Sequence, residues 1–389
     1  MEEWKEYKLG EVTISVRDRI ETSCLDSSSY ISTENMLPDK AGVTLSSGIP
    51  AGNAIKFEKG DVLISNIRPY FKKIWRANKV GGCSADVICL RASSEVDTLF
   101  LYYLLSQDLF FDYVMQGAKG TKMPRGDKNQ IMQWPISIPN ITLQKKIASI
   151  LSTLDDKIEV NRRINENLEQ QAQALFKSWF VDFEPFKDQP FVESELGMIP
   201  QGWKVGSLNE IADVIMGTSP SGTSYNIEGK GDVFYQGRAE FGFRFPKRNL
   251  YTTEAKRFAD VDSVLVSVRA PVGDINVAEE RCCIGRGLAS VKSNKGCNSF
   301  ILYLMQSLKP VFDRFNGEGT VFGSINKKAF EDLKVVIPDE KNVFEFDSIS
   351  SSIDSQIKRT VQESRRLAEL RDTLLPRLMS GELKVNDVI

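Results

Sequence analysis

The chain has 389 residues, 41% of them hydrophobic, which is enough apolar material for two or three cores. A formal net charge of −2 excludes a protein that is basic throughout, so any nucleic-acid surface must be local. The chain contains no histidine, the commonest general base and metal ligand, which weighs against an enzyme. Its six cysteines lack zinc spacing, and no apolar run is long enough to cross a membrane, so we expect buried thiols in a reducing cytoplasm.

The first part of the chain predicts a mixed α+β domain. A short entry strand is predicted in "WKEYKLGEV", and further strands are predicted within residues 60–75 and 85–92, where β-branched and apolar residues alternate or cluster. Residues 99–117 are apolar and aromatic over about five helical turns, which predicts one buried helix. A last strand is predicted within residues 131–139.

A long amphipathic helix is predicted from Leu143 to Phe180, with Thr142 as its N-cap. Apolar residues recur there at steps of three and four, and neither Gly nor Pro interrupts them. At 1.5 Å per residue the helix would span about 55 Å, and its single apolar stripe requires a partner helix. The predicted contact residues are Ile147, Leu154, Ile158, Leu168 and Leu175.

The pattern restarts after a linker rich in proline and acidic residues, at 181–204. Segments 262–273, 299–320 and 330–338 repeat the patterns of the first domain at an offset of about 200 residues, too long a period for a solenoid. A second amphipathic helix near the end of the chain supplies its own stripe. Its predicted contact residues are Ile353, Ile357, Val361, Leu367 and Leu374.

The predicted fold class is therefore mixed α+β, with two pseudo-symmetric globular domains and an antiparallel, coiled-coil-like pair of long helices between them. The predicted boundaries are residues 1–140 for the first domain, 141–184 for the first helical region, 185–339 for the second domain and 340–389 for the second helical region.

Six stretches together resemble the specificity subunits of type I restriction-modification enzymes. They are "IPNITLQKKIASILSTLDDKIEVNRRINENLEQQAQALFKSWFVDFEPF", "GMIPQGWK", "IMGTSPSGTSYN" with "YQGRAEFGFRFP", "SVRAPVGDINVAEERCCIGRGLA" and "LRDTLLPRLMSGEL". The resemblance covers essentially the whole chain. It implies two target-recognition domains, each reading one half of an asymmetric, bipartite site in double-stranded DNA. It also implies that the helical regions set the gap between the half-sites and dock two methyltransferase subunits, which restriction subunits join.

The same resemblance implies that this chain is not catalytic and binds no cofactor or metal itself. Adenine-N6 methylation would belong to the partner subunits, together with S-adenosylmethionine, ATP and Mg. Two alternatives stay open from the residues alone. One is a stand-alone DNA-modifying enzyme, against which the lack of histidine and of an Asn/Asp-Pro-Pro-aromatic methyltransferase signature counts. The other is a coiled-coil scaffold that binds protein.

Two basic segments of the first domain are candidates for DNA contact, because Lys and Arg neutralise phosphates. One interleaves cations with aromatic residues, and the other is a glycine-bearing loop. The candidates are Arg68, Lys72, Lys73, Arg76, Lys119, Thr121, Lys122 and Arg125. The alternative interpretation is a solvated strand edge in the first segment and a plain helix-to-strand connection in the second.

The second domain offers two corresponding segments. Residues 235–249 carry side chains that can grip guanine or adenine edges in the major groove, although phosphate or structural roles are also open. Residues 317–328 repeat the glycine-bearing loop. The candidates are Gln236, Arg238, Arg244, Lys247, Thr320, Ser324, Asn326 and Lys327. "GTSPSG" at 217–222 lacks the Lys-Ser/Thr ending of a P-loop and is interpreted as a turn or a DNA-facing loop.

Overall fold

The computed structural model describes residues 4–316 and 323–387. The chain divides into two compact units, Met1–Val160 with Glu363–Ile389, and Asn161–Gln362. Each unit contains one globular domain together with one half of each of two long helices, α5 (Ile141–Phe180) and α9 (Glu340–Met379).

The first unit is mainly strands with short helices. The strands are β1 (Lys5–Lys8), β2 (Thr13–Ser15), β3 (Arg19–Glu21), β4 (Tyr30–Ile31), β5 (Asn53–Phe57), β6 (Val62–Ser65), β7 (Ile74–Arg76), β8 (Gly81–Cys83), β9 (Val87–Ala92) and β10 (Pro135–Ile138). The short helices are α1 (Leu9–Val12), α2 (Thr98–Leu105), α3 (Asp108–Gln116) and α4 (Lys128–Met132).

A four-stranded antiparallel sheet organises this unit, with strand order β2-β9-β6-β7. Side chains of a strand alternate between its two faces, and here each face meets a different core. Val62 and Ile64 of β6 pack with residues of α2 and α3, whereas Leu63 between them packs with the second sheet, β3-β5-β8-β4. Because both faces are covered, every residue of β6 is buried.

The second unit has the same construction. Its strands are β11 (Phe191–Ser194), β12 (Gly197–Pro200), β13 (Lys204–Ser207), β14 (Ala212–Met216), β15 (Tyr225–Asn226), β16 (Asp232–Tyr235), β17 (Tyr251–Thr252), β18 (Phe258–Ala259), β19 (Val264–Ser267), β20 (Ile275–Val277), β21 (Cys282–Ile284), β22 (Leu288–Ser293) and β23 (Lys334–Ile337). Its short helices are α6 (Asn298–Ser307), α7 (Lys309–Asp313) and α8 (Lys327–Glu331). The hairpin of β11 and β12 lies within the segment predicted as a linker.

The strand order of the main sheet repeats between the two units, whereas the second sheets differ, with order β3-β5-β8-β4 in the first unit and β15-β17-β16-β21-β18 in the second. The main sheet of the second is β14-β22-β19-β20, and Val264 and Val266 of β19 face the helical core while Leu265 faces a second sheet. Each second sheet contains a parallel pair, β4 with β8 and β16 with β21. Each unit also pairs its entry strand antiparallel to its last strand, β1 with β10 and β13 with β23. The predicted duplication and the mixed α+β class are therefore confirmed.

The single helix predicted over residues 99–117 is wrong, because the segment forms the two helices α2 and α3. Ser106 ends the first, donating from its side-chain hydroxyl to the carbonyl of Tyr102 at 2.6 Å. Gln107 is then extended, with ψ of 145°, and α3 starts in a new direction. The described part of the repeat, residues 299–316, is also divided into two helices, α6 and α7, but Leu308 between them is not extended, with ψ of 4°, and Pro310 stands in the first turn of α7.

Each long helix has 40 residues. The predicted N-cap Thr142 is wrong, because the Asn140 side chain accepts the backbone N–H of Leu143 at 3.0 Å and α5 already includes Ile141. The N-terminal half of α5 shares a core with the C-terminal half of α9, and the opposite halves share the other core. The two helices therefore pair antiparallel, as predicted.

The predicted stripe residues differ in how far they are buried. Ile147 and Ile357 are buried, and Leu374, Leu175, Ile353 and Val361 pack against the two cores. Leu154, Ile158, Leu168 and Leu367 are half-buried. Polar residues are also buried along the helices, among them Asn165, which accepts a hydrogen bond from Thr360. A single buried polar contact of this kind can set the register of paired helices.

Candidate nucleic-acid interface

The connection between β6 and β7 projects two aromatic side chains from the first domain. Within the connection, Arg68 and Lys72 flank a 3₁₀ turn at Pro69–Phe71. Both adopt left-handed backbone conformations, with φ of 51° and 50°. Tyr70 is 47% exposed and Phe71 36%, with their ring centroids 4.6 Å apart. Exposed aromatic rings beside cations are typical of surfaces that bind nucleic acid.

A second loop docks against this connection. Lys119 and Arg125 exchange two backbone hydrogen bonds of 2.9 Å, which close the loop, and Gly120 within it has φ of 95°. The backbone N–H of Arg68 donates to the carbonyl of Pro124 at 2.8 Å. The structure thus brings together the two segments that the sequence marked separately, with Lys119, Thr121, Lys122 and Arg125 exposed on the loop.

The cations of this surface are not equally available. Lys72 pairs with Asp108 at 3.0 Å, Lys119 with Asp127 at 3.0 Å and Arg125 with Asp86 at 3.3 Å. Arg68 and Lys122 form no ion pair with an acidic side chain in residues 4–316 and 323–387. These two carry charge that an anionic ligand can neutralise directly.

Lys73 and Arg76 are half-buried and have partners inside the first domain. The Lys73 ammonium donates to the carbonyl of Thr33 at 2.7 Å, and burial, followed by the charge of Arg68, lowers its pKa. Arg76 lies 3.4 Å from the Thr98 hydroxyl. Both side chains therefore have a partner within the first domain, and their contact with DNA stays a prediction.

The second domain repeats the contact between the two loops. The N–H of Ala270, in the connection from β19 to β20, donates to the carbonyl of Gly323 at 2.9 Å, and Ile325 donates back to Val268 at 3.1 Å. Ser324 between these bonds is exposed. Thr320, also predicted to contact DNA, lies outside the described residues.

Some predicted contacts in this domain have local structural partners. Asn326 caps α8 by accepting the N–H of Ala329 at 2.9 Å, and Lys327 pairs with Glu331 at 3.4 Å. Arg238 is half-exposed and pairs with Asp274. Gln236 and Lys247 are exposed.

Arg244 contradicts the prediction of a DNA contact. Its side chain is 4% exposed, pairs with Glu169 of α5 and lies 3.1 Å from Asp354 of α9. Burial acts to lower the pKa of Arg244, but the combined effect of Tyr303, Asp354 and Glu169 raises it, so the guanidinium stays charged. A phosphate cannot reach it, and its charge holds the loop to the two long helices.

Comparison with known proteins accounts for this doubled architecture. The family model of the type I restriction modification DNA specificity domain matches residues 1–170 and 200–363. A putative type I restriction enzyme MjaX specificity subunit of Methanocaldococcus jannaschii is 34% identical over 309 residues, which are 77% of this chain and 72% of that protein. The chain belongs to the type I restriction-modification specificity family.

Two further relatives agree along the full length. The type I restriction enzyme HindI specificity subunit of Haemophilus influenzae is 25% identical and covers 98% of this chain and 100% of its own. A crystal structure of a type I restriction-modification S subunit from M. genitalium matches with a TM-score of 0.61 at 17% identity, covering 97% of this chain and 96% of that one, and shows the same fold. This type I specificity subunit therefore has two target-recognition domains.

Two arginines of the second target-recognition domain were missed by the sequence interpretation. Arg269 and Arg286 are exposed and line a common cleft with Ser324 and Asn326. Both occur in the stretch "SVRAPVGDINVAEERCCIGRGLA", where Arg286 stands between two glycines. That Gly-Arg-Gly sequence was the available signal, but nothing local shows that it lies beside Arg269.

Other classes of site receive no support from the described parts of the chain. Residues 4–316 and 323–387 contain no group of three or more Cys, Asp or Glu side chains able to hold a metal ion. Five of the six cysteines are buried, which agrees with their predicted packing role, and Cys24 is exposed. Among the described helices, none combines the length and apolarity that a membrane span requires.

Proposed function

We propose that this specificity subunit binds a bipartite, asymmetric site in double-stranded DNA, one half-site per target-recognition domain. The observation that carries the proposal is the repeated contact between two loops, at Arg68–Pro124 and at Ala270–Gly323, on two domains whose main sheets share one strand order. The residues that face each other across this backbone contact differ, with Ile67 opposite Arg125 in one domain and Arg269 opposite Ser324 in the other. Equal backbones with unequal side chains suit two different half-sites.

The proposed partners perform the chemistry. Two methyltransferase subunits would use S-adenosylmethionine to methylate adenine N6, after extracting the base from the duplex, and restriction subunits would use ATP and Mg. This chain would supply recognition alone, in the cytoplasm with the DNA. We propose the boundaries 1–140, 141–184, 185–339 and 340–389 for the recognition and helical regions, with the helical regions docking the methyltransferases.

Mapping of methylated adenines in a host that carries this chain with its partner subunits tests the proposal. The expected motif has two specified halves separated by unspecified base pairs. A single contiguous motif, or no motif, would reject it. The purified chain without partners is expected to methylate no DNA, and activity of that chain alone would favour the enzyme alternative.

The proposed role of the helices as a spacer has its own test. Removal of one turn from each long helix shortens the pair by about 5.4 Å, which corresponds to about one to two base pairs. Both half-sites should be retained while the gap between them shrinks. An unchanged gap would show that the helices do not set it.

The first domain's phosphate contacts can be examined through salt dependence. Lys122→Ala in the complex should weaken binding to all sequences and reduce the slope of log affinity against log salt by about 1. Lys59, an exposed lysine of the same domain that lies outside both loops, provides the matched Lys59→Ala control. Equal slopes for the two variants would remove Lys122 from the proposed interface.

A further inference from the structure

The turn between β21 and β22 presents one arginine on a rigid backbone. The N–H of Leu288 donates to the carbonyl of Gly285 at 2.9 Å and closes the turn around Arg286. A Cβ on Gly285 would lie 3.0 Å from the Gln236 Cα, and one on Gly287 would lie 2.7 Å from the Gln236 carbonyl oxygen. A side chain at Gly287 would therefore force the backbone to shift, and one at Gly285 would be tightly packed, whereas Arg286 between them is exposed.

Arg269 is held beside this turn by the backbone. The N–H of Val268 donates to the carbonyl of Gly287 at 2.9 Å, which joins the two connections. The backbones of Arg269 and Ser324 form an antiparallel pair. A cleft of about 330 Å³ beside them is lined by Arg269 and Arg286. The N–H of Arg286 also lies 3.3 Å from the Ser219 hydroxyl, so the loop at 217–222 supports the same cleft.

Their common cleft, more than ion pairing alone, distinguishes the two arginines, because the exposed Arg257 and Arg314 also pair with no acidic side chain among the described residues. Arg238, Arg248 and Arg281 each pair with an acidic side chain. In contrast, neither Arg269 nor Arg286 pairs with an acidic side chain in the described part of the second domain. Two guanidinium groups without a carboxylate partner, on fixed backbone at one cleft, suit a ligand rich in hydrogen-bond acceptors.

The first domain provides the contrast. Its equivalent turn is closed by the same bond, in which the N–H of Val87 donates to the carbonyl of Ser84 at 3.0 Å. The N–H of Asn66 donates to the carbonyl of Asp86 at 2.9 Å and joins the turn to the neighbouring connection. By this register Ala85 stands where the second domain has Arg286. Both domains therefore have the same hydrogen-bonded turn, but only the second domain has an arginine, Arg286, at this position of it.

We propose that Arg286 is a specificity-determining residue of the second half-site, donating two hydrogen bonds to a guanine in the major groove, while Arg269 binds a flanking phosphate. This rests on the proposed function. Guanine presents two acceptors, O6 and N7, to the fork of an arginine, and the closed turn fixes the backbone from which the Arg286 side chain extends. Arg269 and Ser324 face each other as a backbone pair and line the same cleft, and hydroxyls and arginines are common phosphate ligands.

Methylome mapping of the complex with Arg286→Ala and Arg286→Lys tests the base contact. Both variants should relax one position of the second half-site, with a loss of discrimination of about 10- to 100-fold, because lysine cannot reproduce the two-bond fork. The first half-site should be unchanged. Arg269→Ala should keep the motif and reduce the salt slope by about 1.

Arg257, an exposed arginine of the same domain, gives the matched control, and Arg257→Ala should retain motif and affinity. Uniformly weaker methylation with an intact motif in Arg286→Ala would overturn the guanine contact, as would an unchanged pattern. Because Arg286 is exposed, the variants should unfold at the wild-type temperature. A wild-type complex without a two-part motif would overturn the proposed function together with this inference, whereas a wild-type two-part motif that Arg286→Ala leaves intact would overturn the inference alone.

Discussion

In each unit an equivalent tyrosine–aspartate hydrogen bond attaches the recognition domain to the long helices. The arginine that joins this pair comes from a different element in each unit. Tyr103 donates to Asp155 of α5 at 2.6 Å, and Tyr303 donates to Asp354 of α9 at 2.7 Å. Burial raises the pKa of both tyrosines, so each stays a donor. The arginine of the first unit is Arg371 of α9, 2.6 Å from Asp155, whereas the second unit uses Arg244.

The first turns of the equivalent helices α2 and α6 show a similar exchange. In the first unit Asp97 caps α2 from the adjacent position, accepting two backbone N–H groups at 3.0 Å. Cys297 stands at the corresponding position of α6 and makes no cap. There Asp347 of α9 accepts the N–H of Phe300 at 3.0 Å instead. Each structural need is thus met in both units, but by side chains from different elements.

Removal of Arg244 or Arg371 should have the largest effect on the free energy of unfolding, and the two losses should differ in size. Arg244→Met leaves Glu169 and Asp354 without a shared cation inside the protein, and we expect a loss of about 3–5 kcal/mol. Arg371 is 23% exposed, and Asp155 keeps its hydrogen bond from Tyr103, so Arg371→Met should cost about 1–3 kcal/mol. Denaturant unfolding of the full chain measures both.

Arg238→Met, which breaks a half-exposed pair, is the control and should cost no more than about 1 kcal/mol. If Arg371→Met destabilised the chain as much as Arg244→Met, the greater burial of the second cluster would have no energetic consequence.

Loss of the tyrosine hydroxyls should be next in size, at about 1–2 kcal/mol each. Asp354 also accepts the Ser299 hydroxyl at 2.6 Å, so Tyr303→Phe leaves it with a remaining hydroxyl donor. Asp155 has Arg371 as its other described partner, so Tyr103→Phe should be the costlier change. Double-mutant cycles with the two arginines would measure each coupling, and a reversed order would contradict the difference.

The carboxylates that cap α2 and α6, Asp97 and Asp347, should each contribute about 1 kcal/mol to the free energy of unfolding. Asp97→Ala and Asp347→Ala are expected to lower stability by this amount, since each leaves first-turn N–H groups without their acceptor. Cys297→Asp, added to Asp347→Ala, supplies a local cap of the kind seen in the first unit and should restore stability. Failure of that rescue, with Asp97→Ala still destabilising, would show that the two caps are not equivalent.

The smallest effect concerns the charge of Asp347. Burial raises its pKa above the ordinary value of 3.8 despite the N–H donors of Ser299 and Phe300, and Asp354 adds to the increase. The folded state therefore binds this proton more tightly than the unfolded state, and stability decreases as pH rises through the folded pKa. Asp347→Asn keeps an acceptor oxygen and should be slightly more stable than wild type at neutral pH.

That advantage should disappear as pH falls below 3.8, where the wild-type carboxyl is also neutral in both states. Unfolding of both proteins across this range provides the measurement. A stability difference that does not vary with pH would assign the effect to packing instead of charge.

The sequence by itself determined the elements whose signal is local and periodic. Steps of three and four apolar residues predicted both long helices, and alternation around Val62 and Ile64 predicted the central strand, because helix and strand geometry set those periods directly. Repetition of such segments gave the duplication and the family. The basic loops could also be located from their lysines and arginines. The structure places Lys122 exposed and Arg68 half-exposed on these loops.

Tertiary structure alone decided what each charge does. Arg244 looks like its basic neighbours in the sequence, but Glu169 and Asp354 lie 75 and 110 residues away and bury it. The glycines around Arg286 were a local signal, but nothing in the sequence places Arg286 near Arg269, and the two meet because two backbone connections are hydrogen-bonded. The physical reason is that desolvation and ion pairing depend on distances in space, which local patterns do not contain.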